Sequence, residues 1–112
     1  MDQFRWTHRP LVVFAPHPQE ERFLMQRQYL TDVVEDLDER HMVLIEVTGS
    51  SPDDQTLRDR FRIPATEFAV LLVGKDGGVK LQRSEPVTPT ELFSLIDAMP
   101  MRRREMGDRR DE

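Results

Sequence analysis

The chain has 112 residues, no cysteine and a formal net charge of −5 at pH 7. The lack of thiols excludes disulfides, thiolate catalysis and Cys-based metal sites. The acidic balance offers no basic field for nucleic acid, and no apolar run reaches the roughly 18 residues of a membrane span. We therefore predict one soluble domain over 1–106, which binds neither nucleic acid nor membrane, followed by a charged, disordered tail over 107–112.

The first ten residues, MDQFRWTHRP, lack the basic start and the apolar stretch of a secretory signal. As given, the chain is therefore predicted to be cytoplasmic. A mature form whose signal had been removed would have the same appearance, so a secreted origin stays open.

The first predicted strand is the apolar run PLVVFA at 10–15, which ends in a Pro-His-Pro turn. A continuous apolar run of this length is typical of a strand that is buried on both faces. Pro18 suits the first turn of a helix, and apolar residues then recur at helical spacing. We therefore predict one helix over 18–38, with Glu20 and Glu21 near the positive end of its dipole.

A second buried strand, MVLIEV, is predicted at 42–47. The turn-forming residues TGSSPDD at 48–54 predict a loop. A short helix follows as far as Phe61, and we expect Asp53 or Asp54 to cap its first turn.

The third and fourth strands are predicted from FAVLLVG at 68–74 and GVKLQR at 78–83. Asp76-Gly77 between them is a strong hairpin signal. We expect Gly77 to adopt a positive φ in a type I′ turn, with Asp76 as its partner and with Gly78 as a second turn residue.

The last helix is predicted to begin at the capping box TPTE (88–91), whose proline stands at the first helical position. Pro100 ends or kinks this helix. The complete order is β-α-β-α-β-β-α, with a parallel, right-handed first βαβ unit and an antiparallel hairpin at the end. We therefore predict an α/β, thioredoxin-like fold whose central mixed four-stranded sheet has helices on both faces.

Two stretches, GKDGGVK at 74–80 and ELFSLIDAMPMRRREM at 91–106, resemble the signature of the P-DUDES family. FRWTHRPLVVFAP at 4–16 extends the resemblance to nearly the whole chain. These peroxiredoxin-like domains of unknown function occur as single bacterial domains and as repeated modules of vertebrate extracellular-matrix proteins. The resemblance implies a thioredoxin-like fold and no established activity, and it allows a secreted or periplasmic location.

The turn after the first strand is the place where thioredoxin-like enzymes carry a cysteine pair. By register, Pro18 and Glu21 occupy the two cysteine positions, and neither side chain can exchange thiols. The proline that such enzymes place before the third strand is also missing, since Glu67 or Phe68 stands there. We therefore predict neither thiol oxidoreductase nor peroxidase activity, and we predict no cofactor.

His17 is the less favoured candidate for a catalytic or metal-binding residue, with Glu20 and Glu21 as acidic neighbours. The other two histidines, His8 and His41, belong to the opposite end of the sheet. We favour a turn role for His17, between Pro16 and Pro18, and predict no metal site. The alternative is a cysteine-free enzyme or a small-ligand site around His17.

Basic residues gather at the opposite end of the predicted sheet, which we call the far pole. The hairpin turn lies there because the third strand runs antiparallel to the first, and the last helix ends there. The residues that we predict to bind a partner at the far pole are Arg9, Lys75, Asp76, Lys80, Arg102, Arg103 and Arg104.

Two interpretations of the far pole stay open. In the structural one, the arginines complement the end of the last helix and pair with nearby acids, among them Asp36, Asp38, Asp97 and Glu105. In the functional one, Arg forks and the open Gly-Gly backbone bind a carboxylate, a phosphate or a partner protein. We predict a non-redox binding module for a protein or anionic partner, as a monomer or a weak homodimer.

Overall fold

The computed structural model describes residues 2–110. Four strands form one sheet: β1 (Arg9–Phe14), β2 (Met42–Val47), β3 (Ala69–Val73) and β4 (Val79–Arg83). The helices are α1 (Glu21–Thr31), α2 (Val34–Glu39), α3 (Pro52–Phe61), α4 (Pro89–Asp97) and α5 (Pro100–Arg110), and a 3-10 turn (Asp2–Phe4) precedes β1. None of the helices between residues 2 and 110 is long and apolar enough to cross a membrane.

The strand order in the sheet is β2-β1-β3-β4. β1 runs parallel to β2, with Arg9 opposite Met42 and Phe14 opposite Val47. β3 is antiparallel to β1, and β4 is antiparallel to β3. The predicted mixed four-stranded sheet is confirmed, and β1 and β3 are its central strands.

Both faces of the sheet carry an apolar core, because successive side chains of a strand point to opposite faces. One core joins Leu11 and Val13 of β1 to α1 and α4 through Phe23, Leu30, Leu92 and Ile96. The other joins Val12 and Phe14 to α3 through Leu57, Phe61 and the adjoining Ile63. The central strands read as continuous apolar runs because each of them is buried on both faces.

The predicted single helix over 18–38 is wrong. α1 begins at Glu21, because the Glu20 carboxylate accepts the Phe23 N–H at 2.9 Å and so caps the helix. Pro18 lies before the helix, in a turn that the Glu20 N–H closes on the His17 carbonyl. The helix stops after Thr31, and α2 starts three residues later. Asp32 and Val33, both poor helix formers, occupy this break.

The expected cap of α3 is also wrong. Ser51 is the capping residue, and its hydroxyl accepts the Asp54 N–H at 3.1 Å. Pro52 takes the first helical position, where its missing N–H is not needed, so the cap lies upstream of both aspartates. The Asp54 carboxylate instead accepts the Gly49 N–H from the preceding loop, at 2.9 Å.

The β3–β4 turn differs from the expected type I′ turn. Gly77 has the expected positive φ, 86°, but Asp76 is not among the described residues with positive φ. The Gly77 N–H donates to the Gly74 carbonyl at 3.0 Å, and the Gly74 N–H donates to the Gly78 carbonyl at 2.8 Å. The Asp76 carboxylate accepts the Gly78 N–H at 2.9 Å, so its side chain closes a longer loop than expected.

The Thr88 cap of α4 is as predicted, since its hydroxyl accepts the Glu91 N–H at 3.3 Å and Pro89 begins the helix, whereas the Glu91 carboxylate accepts from Arg83. α4 ends at Asp97, as the predicted break at Pro100 implies, and Pro100 then begins a separate helix, α5, because proline fits a first helical position. Residues 107–110, which we predicted as a disordered tail, belong to α5. Residues 111 and 112 of that predicted tail lie outside the described residues.

Candidate functional site

The structure brings Arg9, Lys75 and Arg102 together at the far pole, and it buries all three. Glu105 of α5 is the acceptor that joins the first two. Its Oε2 atom lies 2.6 Å from Lys75 Nζ and 3.2 Å from Arg9 Nη2. Arg9, only 1% exposed, also donates to the Arg40 carbonyl at 2.7 Å. One carboxylate of α5 therefore connects the start of β1 to the β3–β4 turn.

Asp97, at the end of α4, is a second acceptor at this pole. Its Oδ1 atom accepts from Arg102 Nε at 3.1 Å, and its Oδ2 atom accepts from Arg40 Nη2 at 2.9 Å. Arg102 also reaches Glu39 of α2, with Nη2 3.2 Å from Oε1. The Arg40 guanidinium lies over the ring of Phe93, 4.2 Å from its centroid. These contacts fasten α5 to α2 and α4.

Charge pairing keeps both acceptors ionised. Burial alone would raise the pKa of Glu105, but the hydrogen bonds from Lys75 and Arg9 outweigh it and hold that pKa below the ordinary value. Burial would also raise the pKa of Asp97, but the hydrogen bonds from its two guanidinium partners outweigh burial, so that pKa is lowered as well. The buried cations of the far pole are therefore paired with ionised carboxylates at neutral pH.

His41 belongs to the same network through its Nδ1 atom, which lies 2.7 Å from Lys75 Nζ and 3.7 Å from Glu105 Oε1. Its backbone is in the left-handed region, with φ at 55°. Burial and the adjacent Lys75 ammonium lower the pKa of His41, although Glu105 opposes them. The neutral imidazole is thus the form that this position favours.

The remaining predicted binding residues lie nearer to solvent. Lys80 pairs with Asp76, Nζ to Oδ2, at 2.9 Å. Arg103 and Arg104 are exposed on α5. The N–H groups of the three buried cations donate to acceptors within the protein. They are therefore not available to bind a free anion.

An open pocket of about 490 Å³ lies beside this network, between the β3–β4 turn and the junction of α4 and α5. Its helical side is apolar and consists of Leu95, Ala98, Met99, Pro100 and Met101. Its sheet side includes Lys75 and Lys80. A pocket of this size with an apolar lining and a few polar groups at its edge is typical of a binding site.

Gly74 allows Lys80 to form one wall of this pocket. A Cβ atom placed on Gly74 would lie 2.6 Å from Cε of Lys80, which is closer than two carbon atoms can approach. The missing side chain therefore lets Lys80 lie against the turn and reach Asp76. This use of Gly74 was not predicted from the sequence, because it depends on contact between the β3–β4 turn and β4.

Trp6 is the most evident feature that sequence reasoning missed. It is 60% exposed, its φ is 71°, and its N–H donates to the Lys75 carbonyl. The neighbouring Arg5 Nε donates to the Asp76 carbonyl at 3.2 Å. The segment before β1 is thus fastened to the β3–β4 turn. No sequence signal separates an exposed tryptophan from a core one, so only the fold reveals it.

The Pro-His-Pro turn does not assemble the alternative site. The His17 side chain is exposed, and it makes no hydrogen bond or ion pair within the part of the chain that the structure describes. The Glu20 carboxylate is occupied by the Phe23 N–H and by Arg22 Nε, at 2.9 and 2.8 Å. Glu21 points to solvent. Among the described residues, no group of three or more His, Asp or Glu side chains could hold a metal ion.

A buried arginine donates hydrogen bonds to backbone carbonyls at the strand ends near that turn. Arg58 of α3 is 2% exposed, and its Nη2 atom donates to the carbonyls of Ala15 and Val47, at 2.7 and 3.4 Å. Its Nη1 atom donates to the Pro64 carbonyl at 3.1 Å. Ala15 follows β1, Val47 is the last residue of β2, and Pro64 precedes β3. The Arg58 side chain therefore connects three segments of the chain. Sequence reasoning missed this role, because an arginine in a polar helix normally faces solvent.

The chain matches a family profile described as a domain of unknown function, DUF4174, over residues 1–105. It is 30% identical over 126 residues to the Homo sapiens Sushi repeat-containing protein SRPX2, covering 100% of the chain and 27% of that protein. It is 32% identical over 120 residues to the Rattus norvegicus Sushi repeat-containing protein SRPX, covering 95% and 26%. It is 29% identical over 134 residues to the Danio rerio Coiled-coil domain-containing protein 80, covering 96% and 16%.

The chain thus spans about a quarter or less of these relatives. A solved structure described as that of a malarial protein aligns with a TM-score of 0.60 and 14% identity, covering 80% of this chain and 94% of that one. At that identity the likeness shows a shared fold alone. The family assignment rests instead on the profile match, which covers nearly the whole chain, and the chain belongs to the DUF4174 family of domains of unknown function.

Proposed function

We propose that this domain is a non-redox binding module with a thioredoxin-like fold, of the P-DUDES type, and that it is not an enzyme. The strand order β2-β1-β3-β4, with only β1 and β2 parallel, supports the thioredoxin-like assignment. The absence of cysteine supports a role without thiol chemistry. The exposed His17, with no acidic side chain bonded to it among the described residues, supports binding rather than catalysis.

The observation that carries this proposal is the apolar pocket at the far pole. Its helical wall consists of Leu95, Ala98, Met99 and Met101, with Pro100 between the methionines. Burying an apolar side chain there would release ordered water and gain about 25 cal/mol for each Å² removed from solvent. Methionines adapt to different partner shapes, so such a wall suits the side chains of a protein.

The ion pairs beside the pocket favour a protein over a free anion. Glu105 and Asp97 already accept hydrogen bonds from the buried cations, and an incoming anion would have to displace one of these carboxylates. The net charge of −5 adds a general repulsion for anions and for nucleic acid. We therefore propose a protein partner, which contributes an apolar side chain to the pocket.

The location that we propose for this function is outside the cytoplasm. The resemblance to repeated modules of extracellular-matrix proteins supports it in preference to the cytoplasmic location expected from the first residues. A domain without cysteine needs no particular redox compartment in order to fold.

A displayed library of linear peptides tests the proposal, with the purified chain as the immobilised target. We expect enrichment of peptides that share an apolar or aromatic residue. Ala98→Glu places a charge on the pocket wall at an exposed position and should weaken the selected peptides by roughly tenfold or more. Ser94→Glu adds the same charge one turn earlier on α4, at an exposed residue outside the pocket lining, and should leave binding unchanged.

Two results would refute the proposal: selection that enriches no peptide, or selected peptides that bind Ala98→Glu as tightly as the original chain. His17→Ala serves as a second control. Loss of peptide binding in that variant, with the pocket variant unaffected, would move the site to the Pro-His-Pro turn.

A further inference from the structure

Trp6 is held in a conformation that the fold must enforce. A φ of 71° is rare for a bulky side chain, because Cβ then crowds the backbone. Two hydrogen bonds maintain this conformation. The Trp6 N–H donates to the Lys75 carbonyl, and the Arg5 guanidinium donates to the Asp76 carbonyl. As a result Trp6 is 60% exposed, the largest exposed fraction among the large hydrophobic residues that the structure describes. A strained backbone that presents an aromatic ring to solvent indicates a contact surface.

The indole and the apolar pocket are neighbours on the same pole. Lys75 and Asp76, which hold the segment around Trp6, also line the pocket. Trp6 itself is not part of the lining. A two-fold axis between indole and pocket would therefore place the Trp6 of each copy over the pocket of the other, as an isologous dimer requires. The pocket, at about 490 Å³, is large enough for an indole ring.

The charges of the far pole are complementary to those of a second copy. Arg103 and Arg104 are exposed on α5, while Glu35, Asp36 and Asp38 are exposed on α2. The two helices adjoin within one copy, where Arg102 pairs with Glu39. Around a two-fold axis, the positive helix of each copy can face the negative helix of the other. A partner of uniform charge would be repelled by one of these helices, so this pattern favours a second copy.

We propose that the partner of this pocket is a second copy of the chain, and that each copy inserts its Trp6 side chain into the pocket of the other. This inference rests on the proposed function, because it names the partner of the same pocket. The product is a two-fold homodimer with two buried indoles at its centre and paired helices at its rim.

The chain contains one tryptophan, so its fluorescence reports directly on this contact. We expect its emission to move to shorter wavelength as protein concentration rises from micromolar to millimolar, in parallel with a doubling of mass in sedimentation. Ala98→Glu should stay monomeric, with solvent-exposed emission throughout, while Ser94→Glu should dimerise as the original chain does.

Trp6→Gly removes the indole and relieves the positive φ, since glycine adopts it without strain. We expect this variant to unfold at the same temperature as the original chain or higher, and yet to remain monomeric. Its pocket stays intact, so it should still bind the selected peptides. An unchanged unfolding temperature and retained peptide binding would show that the variant is monomeric because it lacks the indole contact, not because its fold is damaged.

Constant emission and a monomeric mass at all concentrations would overturn the dimer, and so would a dimer that persists in Trp6→Gly. Either result leaves the proposed function standing if pocket-dependent peptides are still selected. Failure of the peptide selection would refute binding of other proteins at the pocket, and a Trp6-dependent dimer observed with it would show that the pocket serves self-association alone.

Discussion

The Lys75 ammonium lies 2.6 Å from the carboxylate of Glu105, and the pair joins the β3–β4 turn to α5. Arg9 at the start of β1 donates to the same carboxylate. Pro100 and Met101 of α5 line the apolar pocket, so the contact that holds α5 in place also shapes the pocket. Arg9 and Lys75 thus help to fix the position of α5, and both also line the pocket.

Glu105→Gln should destabilise the fold strongly. The change leaves the buried Lys75 and Arg9 without their negative partner, and breaking such a pair costs about 3 kcal/mol of unfolding free energy. Urea denaturation followed by circular dichroism measures the loss. Arg103→Gln, at an exposed neighbouring position on α5, should change the same quantity by no more than about 0.5 kcal/mol. Equal effects of the two substitutions would contradict the role assigned to Glu105.

Stability should fall as pH decreases, in two stages. The pKa of His41 is lowered by burial and by Lys75, so the unfolded chain takes up this proton first. The contribution of His41 is therefore complete above its ordinary pKa of 6.5 and is lost as pH falls toward the folded value. Glu105 and Asp97, whose pKa values are also lowered, add a second loss below their ordinary values of 4.5 and 3.8.

Urea midpoints measured from about pH 8 to about pH 5 report mainly the first stage, because histidine is the side chain whose ordinary pKa lies in this range. His41→Asn should flatten this part of the profile, and asparagine tolerates the positive φ at this position. The loss below the ordinary pKa of Glu105 should remain in that variant. A profile that is identical with and without His41 would show that its titration is not coupled to folding.

Arg58→Met should destabilise the strand ends near the Pro-His-Pro turn by about 3 kcal/mol. The methionine keeps an apolar stem but leaves the carbonyls of Ala15 and Pro64 without their charged donor. Arg27→Met is the matched control, because Arg27 is an exposed arginine paired with Glu46 and should cost about 1 kcal/mol or less. Similar urea midpoints for the two variants would contradict a structural role for Arg58.

Gln26→Leu should loosen the segment before α4. The Gln26 amide is buried, and it both accepts the Val87 N–H at 2.7 Å and donates to the Val87 carbonyl at 3.0 Å. Leucine makes neither bond, so we expect a loss of about 2 kcal/mol and faster hydrogen exchange at the Val87 amide. Gln28→Leu, on the exposed side of α1, should leave that exchange rate unchanged. An unchanged exchange rate of the Val87 amide in Gln26→Leu would refute this role of the Gln26 side chain.

Local patterns predicted the strands well and the helices less well. The apolar runs at 10–15 and 42–47 became β1 and β2 with boundaries shifted by no more than a residue, because burial on both faces leaves an uninterrupted signal. The division of the predicted helix 18–38 was missed. Apolar spacing continues across Asp32 and Val33, while the ends of a helix depend on caps such as Glu20.

The sequence predicted that several charged residues meet at the far pole, but not how they pair there. The directions of the strands and of the last helix placed Arg9, Lys75 and Arg102 at one pole, and the structure brings these three together. Their burial against Glu105 and Asp97 was one of two interpretations that the sequence left open. The apolar pocket and the exposed Trp6 were not predicted, since both depend on how α4, α5 and the segment before β1 meet the hairpin.

The sequence by itself determined the four strands, their order along the chain and the exclusion of thiol chemistry, because these follow from composition and from patterns a few residues long. Only the tertiary structure decided which charges are buried and which apolar side chains stay exposed. Arg9 and Glu105 are 96 residues apart, and a contact over such a distance leaves no periodic signal in the chain. Charge pairing and pocket shape are properties of surfaces that only the folded chain brings together.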